Sequence, residues 1–203
     1  MNLLFDLGGV IMDIERQRCV DAYRRLGMAH PEQFLGDYVQ QGPFMLIESG
    51  KISPAEFRAT LREYLPADVT DSQIDDAFFQ FLVGIPEHRL RQLRQLRADN
   101  RIYLLSNTNP IMWDGKIKEE FTKEGLCRED YFDGIVTSFE AKTMKPDPQI
   151  FRYAIDKLGI EPEETLFLDD SQANLDAAAT LGFMTALVPP GSEFAEIIAN
   201  FKR

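Results

Sequence analysis

Three short apolar runs in this chain end in the same way. LLFD closes on Asp6, IYLLSN on Ser106 and Asn107, and TLFLDD on Asp169 and Asp170. Each run is short and continuous, without the polar alternation of a half-exposed strand, so each reads as a strand buried on both faces. GIVT (134–137) and MTALV (184–188) read as two more. Helical periodicity fills the intervals: 87 to 98, 114 to 124, 148 to 158 with Gly159 as its stop, and 172 to 181 with Gly182 as its stop. Strands alternating with helices predict an α/β fold, a parallel sheet covered by helices on both faces. In such sheets ligands gather beyond the carboxyl ends of the strands. The polar residues of all three runs fall at that edge.

The segment between the first strand and the rest has a different character. Ile14, Cys19, Ala22, Tyr23 and Leu26 fit one helix that Gly27 ends, and helices are expected at 31–40, 53–64 and 71–82. QGPFMLIESGK, 41 to 51, reads as a Gly-rich loop between them. This block is an insertion. The expected organisation is a core of residues 1–13 and 85–203 with a four-helix cap of residues 14–84.

The residues at the sheet edge share a chemistry. They are carboxylates, a hydroxyl and a primary amide, joined by Lys145 in AKTMKPDP after another strand. Hard oxygen ligands hold Mg²⁺. A carboxylate can be the nucleophile in aspartyl-phosphate chemistry. A hydroxyl and an ammonium can neutralise phosphoryl oxygens. Each residue alone has a plainer reading, as a turn former, a helix cap or a solvent lysine; four together at predicted strand ends point to a phosphoryl site.

Thirty-three acids against twenty-two Lys and Arg give a formal charge of -11. Such a chain repels polyanions, so nucleic acid is not expected as a partner. LRQLRQLR accordingly reads as the solvated face of a packed helix. Cys19 and Cys127 are expected as free thiols of a reducing compartment. No apolar run approaches the roughly 20 residues that span a bilayer, and MNLLFD carries no basic leader region. A cytoplasmic monomer or homodimer without membrane contact is expected.

In this order the motifs resemble those of the haloacid dehalogenase-like (HAD) hydrolases, and the resemblance covers essentially the whole chain. FDLGGV resembles the first motif, LLSNT the second, MKPDPQIF the lysine motif and FLDDSQANLDAA the last. The resemblance implies a three-layer Rossmann-like core with a small helical cap, similar to bacterial sugar-phosphate phosphatases and to the amino-terminal phosphatase domain of soluble epoxide hydrolases. It implies Asp6 as nucleophile, Ser106 and Lys145 as phosphate-binding groups, and Asp6, Gly8 (through its carbonyl), Asp169 and Asp170 as holders of Mg²⁺. Asn107 and Thr108 are expected at the phosphate pocket, and Phe44, Glu48 and Lys51 of the cap near the substrate.

Gly8 departs from the pattern. Phosphatases of this family usually carry Asp two residues after the nucleophile, where it protonates the leaving oxygen. Gly8 lacks that acid. Asp13 reads either as a substitute acid or as the cap of the following helix, and Gly8 itself reads also as a turn glycine with a φ other residues avoid. The expected activity is Mg²⁺-dependent hydrolysis of a small phosphorylated metabolite, such as a sugar 1-phosphate, whose anomeric oxygen leaves with little protonation. A phosphomutase, a dehalogenase of the same fold, or a weakly active regulatory or binding protein are the alternatives.

Overall fold

The computed structural model of the chain describes residues 1–36 and 40–201. The elements, in chain order, begin with strands β1 (Asn2–Phe5) and β2 (Asp13–Ile14), followed by helices α1 (Arg16–Arg25), α2 (Gly42–Glu48), α3 (Pro54–Leu61) and α4 (Asp71–Phe79). Strand β3 (Leu82–Gly84), helix α5 (Glu87–Arg97) and strands β4 (Arg101–Ser106), β5 (Gly134–Thr137), β6 (Thr165–Asp169) and β7 (Met184–Leu187) complete the frame. Five strands form one parallel sheet in the order β5-β4-β1-β6-β7.

Alternation along the strands builds a core on each face. Leu3, Phe5, Ile102, Leu104, Leu166 and Leu168 belong to one cluster, with Leu90 and Leu93 of α5 and Phe194 and Ile198 of the C-terminal helix. Leu4, Tyr103, Leu105 and Phe167 point into a second, closed by Ile150, Phe151 and Ala154 of helix Pro148–Leu158 and by Leu175 and Ala178 of helix Gln172–Ala179. Burial on both faces is why the strand sequences are continuously apolar.

The inserted helices pack around aromatic rings. Phe44 of α2 lies 5.4 Å from Tyr23 of α1, 5.1 Å from Phe57 of α3 and 5.1 Å from Phe78 of α4, all edge to face. The geometry is the favourable one for ring quadrupoles. Ser53 with Glu56 and Thr70 with Gln73 form capping boxes that start α3 and α4. The chain leaves and re-enters the core through a two-stranded antiparallel ribbon, β2 with β3.

Several local expectations change. QGPFMLIESGK is not a loop but holds α2, because Pro43 occupies the first helical turn, where no amide partner is needed. Phe44 and Ile47, one turn apart, anchor it. The first cap helix starts at Arg16 rather than Ile14, since Asp13 and Ile14 pair with β3, and α4 ends at Phe79 for the same reason. Of the helix expected at 31–40, Pro31–Gln33 forms a single 3₁₀ turn, and residues 37–39 lie outside the described residues. The segment 114–124 is interrupted at Gly115, whose backbone is non-helical, where an ideal Cβ would sit 2.5 Å from the Phe79 ring. The arginines of LRQLRQLR are ion-paired: Arg91 to Glu87, Arg94 to Glu124 and Arg97 to Asp133. Cys19 and Cys127 are free thiols. Among the described residues no helix is long and apolar enough to cross a membrane.

Candidate active site

Register brings the acids together. Phe5 stands opposite Leu104 on one side and Leu168 on the other, so the next residues, Asp6 and Asp169, emerge side by side. The Asp6 amide donates to the Leu168 carbonyl at 2.9 Å. Carboxylate oxygens of Asp6, Asp169 and Asp170 all lie within 4.8 Å of one another. The turn after Asp6 makes room for this. Gly9 has φ +78°, and an ideal Cβ there would sit 2.4 Å from Asp170 Oδ2. Gly8 has no positive φ, and a Cβ there would meet only two Ile14 methyl carbons at 3.5 Å, ordinary contact distance. The turn's special glycine is therefore Gly9, not Gly8.

Lys145 is fully buried between two of the acids. Its Nζ lies 2.8 Å from Asp6 Oδ1 and 2.7 Å from Asp169 Oδ2. Burial opposes the ammonium, but Asp169 and Asp6 outweigh it and hold Lys145 above its ordinary value. Asp6 is pushed up to about 7, chiefly by burial, with Lys145 pulling it down and Asp169 and Asp170 pushing it further up. Burial and Asp169 raise Asp170 to about 6. Asp6 Oδ1 also accepts the Leu7 amide at 2.6 Å. Asp169 Oδ1 accepts from the Ser171 amide at 2.8 Å and from Asn174 Nδ2 at 2.9 Å. Three crowded carboxylates against one ammonium form an all-oxygen donor set whose mutual repulsion a hard divalent cation relieves, and they fit Mg²⁺.

Asp6, Lys145 and Asp170 line a cavity of about 250 Å³ between the sheet edge and the cap, with Asp169 buried behind them. Gly8, Ser106, Asn107, Thr108 and Glu48 line it as well. The Asn107 amide is committed to positioning. Its Nδ2 donates to the Lys145 carbonyl and its Oδ1 accepts the Lys145 amide, both at 2.9 Å. Ser106 is buried, and its Oγ has one long contact, 3.4 Å, to the Asn107 carbonyl.

Three expected residues lie elsewhere. Phe44 is the hub of the aromatic cluster inside the cap. Lys51 is exposed in the turn after α2 and is not among the lining residues. Asp13 belongs to the ribbon; its carboxylate is 49 % exposed and bound by Arg89 Nη1 at 2.7 Å. It does not cap α1 either, because that helix begins after Glu15.

Glu48 is the unusual member of the cavity wall. Its carboxyl has no hydrogen-bond or ion-pair partner among the described residues, and burial alone pushes it from 4.5 up to about 8. The unfolded chain ionises this group above about pH 4.5 while the folded chain resists until about 8. Its contribution to stability is thus fully present below pH 4.5 and lost as the pH climbs towards 8. Glu48→Gln is expected to stabilise the protein at pH 8, by a few kcal/mol, and to make no such gain at pH 4.5. Urea unfolding of both proteins at the two pH values measures this, and an equal difference at both would refute it.

Two residues not foreseen complete the arrangement. Asn174, in the first turn after FLDDSQ, holds Asp169; an amide at that spacing is its only trace in the sequence. Ser138 Oγ contacts the Glu48 carbonyl at 2.7 Å and the Thr108 carbonyl and amide at 3.0 Å each. Nothing in a local sequence window announces that contact.

Comparison with known proteins places this geometry. Residues 1–182 match the haloacid dehalogenase-like hydrolase family. The chain is 35 % identical to a D-ribitol-5-phosphate phosphatase of Bacteroides thetaiotaomicron, over 96 % of this chain and 95 % of that protein. A crystal structure of a HAD family enzyme from the same organism, in complex with magnesium and inorganic phosphate, superposes with a TM-score of 0.89 at 41 % identity, covering 96 % of this chain and 97 % of the other. A predicted HAD-like hydrolase from Porphyromonas gingivalis gives 0.91 at 35 % identity, covering 100 % and 97 %. The buried acids, the lysine between them and the capped parallel sheet thus have a family: the chain belongs to the haloacid dehalogenase-like hydrolases.

Proposed function

We propose that this chain is a Mg²⁺-dependent phosphatase that hydrolyses a small sugar or polyol phosphate through an aspartyl-phosphate. The observation that carries the reading is Lys145 Nζ, held 2.8 Å from Asp6 and 2.7 Å from Asp169 at the cavity wall. The Leu7 amide and Lys145 both engage Asp6 Oδ1, which orients the carboxylate. In this reading an Asp6 oxygen attacks phosphorus and the ester P–O bond breaks. The alcohol leaves and takes up a proton. Water then attacks phosphorus, releases inorganic phosphate and restores the carboxylate. Lys145 and Ser106 stabilise the transferring oxygens, and Asn107 fixes the backbone of Lys145. Asp6, Asp169 and Asp170, together with the Gly8 carbonyl that the family resemblance implies, would hold a divalent cation that supplies charge neutralisation for the phosphoryl group.

The likeness to the D-ribitol-5-phosphate phosphatase supports a small polyhydroxylated ester, and a cavity of about 250 Å³ suits one. We assign residues 1–13 and 85–203 to the core and 14–84 to the cap. The free thiols and the charge of -11 support a cytoplasmic enzyme of small metabolites, a monomer or homodimer, with no nucleic-acid partner.

Stripping divalent metal is expected to abolish phosphate release from an aryl phosphate, and Mg²⁺ to restore it and raise the melting temperature, since it binds the folded state. Undiminished release after complete metal removal would overturn the reading. Return of the phosphoryl group to an isomerised sugar, in place of free phosphate, would make the chain a mutase.

A further inference from the structure

We propose that Glu48 and Thr108 together bind hydroxyl groups on the carbon chain of the substrate, so that the enzyme selects neutral, polyhydroxylated phosphate esters; the proposal rests on the phosphatase reading above.

The cavity has two chemically distinct parts. Asp6, Lys145 and Asp170 mark the reacting end. The cap contributes mainly apolar side chains, among them Phe78 and Phe81, and Glu48 is the one carboxyl that α2 brings to the wall. Glu48 is 9 % exposed and Thr108 is 3 % exposed. Among the described residues, the Thr108 hydroxyl is buried without a hydrogen-bond partner, and the carboxyl of Glu48, a buried residue, makes no hydrogen bond or ion pair. Buried polar groups are nearly always paired, so two unpaired ones in one cavity wall mark a place where a ligand completes them.

Their positions are fixed in advance. Ser138, directly after β5, ties the backbones of Glu48 and Thr108 with a single hydroxyl. Two residues on, Gly50 with φ +60° lets the cap chain come so close to the core that a Cβ would lie 2.1 Å from the Phe139 carbonyl oxygen. Lys142 Nζ then donates to the Gly50 carbonyl at 2.9 Å. The pair is therefore held on the core rather than on a free cap.

The chemistry they offer is that of a hydroxyl reader. No charged group contributes to the state of Glu48, and burial favours its neutral form. Its place at the C-terminus of α2, where carbonyls point outward, also disfavours a second negative charge. A neutral carboxyl has one donor and an acceptor, as has a threonine hydroxyl. Neighbouring hydroxyls on a carbon chain offer the same alternation. An ammonium would require the ionised carboxyl.

The test compares kcat/KM, at saturating Mg²⁺, for three esters of equal chain length: a pentitol 5-phosphate, n-pentyl phosphate and 5-aminopentyl phosphate. Wild type is expected to prefer the pentitol ester over pentyl phosphate by at least about a hundredfold, because leaving buried polar groups unpaired is costly. Glu48→Leu is expected to cut that ratio below about tenfold, mostly through KM, and Thr108→Val to cut it in the same direction. Glu48→Gln, an isostere of the neutral acid, is expected to keep the ratio within about fivefold of wild type. An unchanged ratio in both Glu48→Leu and Thr108→Val overturns the proposal while the phosphatase stands. Equal loss in Glu48→Gln and Glu48→Leu, or a preference for the amino ester, also overturns it. Wild type that releases phosphate from none of the three, nor from an aryl phosphate, removes the phosphatase reading and this one with it.

Discussion

Asp6→Asn is expected to yield a folded protein whose turnover, at saturating Mg²⁺, is at least about a thousandfold below wild type. The fold should survive because an amide oxygen can still accept the Leu7 amide and the Lys145 ammonium, and Lys145 keeps Asp169 at 2.7 Å. Removing one of three crowded acids relieves repulsion rather than creating an unpaired charge. What is lost is the oxygen that bonds to phosphorus. Intact-mass measurement during turnover should show a phosphoryl adduct on wild type and none on the variant. Near-normal turnover in a sample free of deamidation would exclude covalent chemistry at Asp6.

Gly8→Asp should act in the opposite direction. The turn accepts a side chain at this position, because Gly8 has no positive φ and its Cβ meets only Ile14 at 3.5 Å. Asp13 is engaged with Arg89 and half exposed, so it is not expected to replace the absent acid. A general acid contributes about 10² to 10⁴ where the leaving oxygen needs a proton. The wild-type kcat/KM should therefore fall steeply as leaving-group pKa rises from aryl to alkyl phosphates. Gly8→Asp should flatten that slope and raise the alkyl rate by about a hundredfold or more. A variant that melts like wild type and binds Mg²⁺, yet shows the wild-type slope, would show that protonation of the leaving group is not limiting.

The sheet and its edge are legible because they depend on short-range pattern. LLFD, IYLLSN and TLFLDD carry the signature of strands buried on both faces, and their terminal residues converge by register alone. Lys145 is recognisable by its place after a strand, but its bracing by Asn107 joins residues 38 apart and has no local trace. The cap is less readable. Gly and Pro in QGPFMLIESGK point to a loop, while the two apolar positions a turn apart decide for a helix. Sequence places Phe44, Glu48 and Lys51 in one segment without saying which way each faces. Tertiary packing sends Phe44 inward to other rings, leaves Lys51 in solvent and puts Glu48 at the cavity.

The aromatic cluster of the cap has a further consequence. Phe44, Phe57 and Phe78 belong to the same continuous apolar cluster as Leu3 and Phe5 of β1, whereas the opposite face of the sheet has a core of its own. Lifting the cap as a rigid lid would open that shared interior to water, at roughly 25 cal/mol for each Å² of apolar surface. The least costly motions are those that leave it closed, such as rearrangement of side chains at the cavity mouth. Loss of the lid and loss of the sheet are therefore expected to occur as a single cooperative transition, which coincident unfolding curves from cap and core probes would check. A void cut at Phe44 is a defect of the whole molecule, felt as global unfolding rather than as a looser cap.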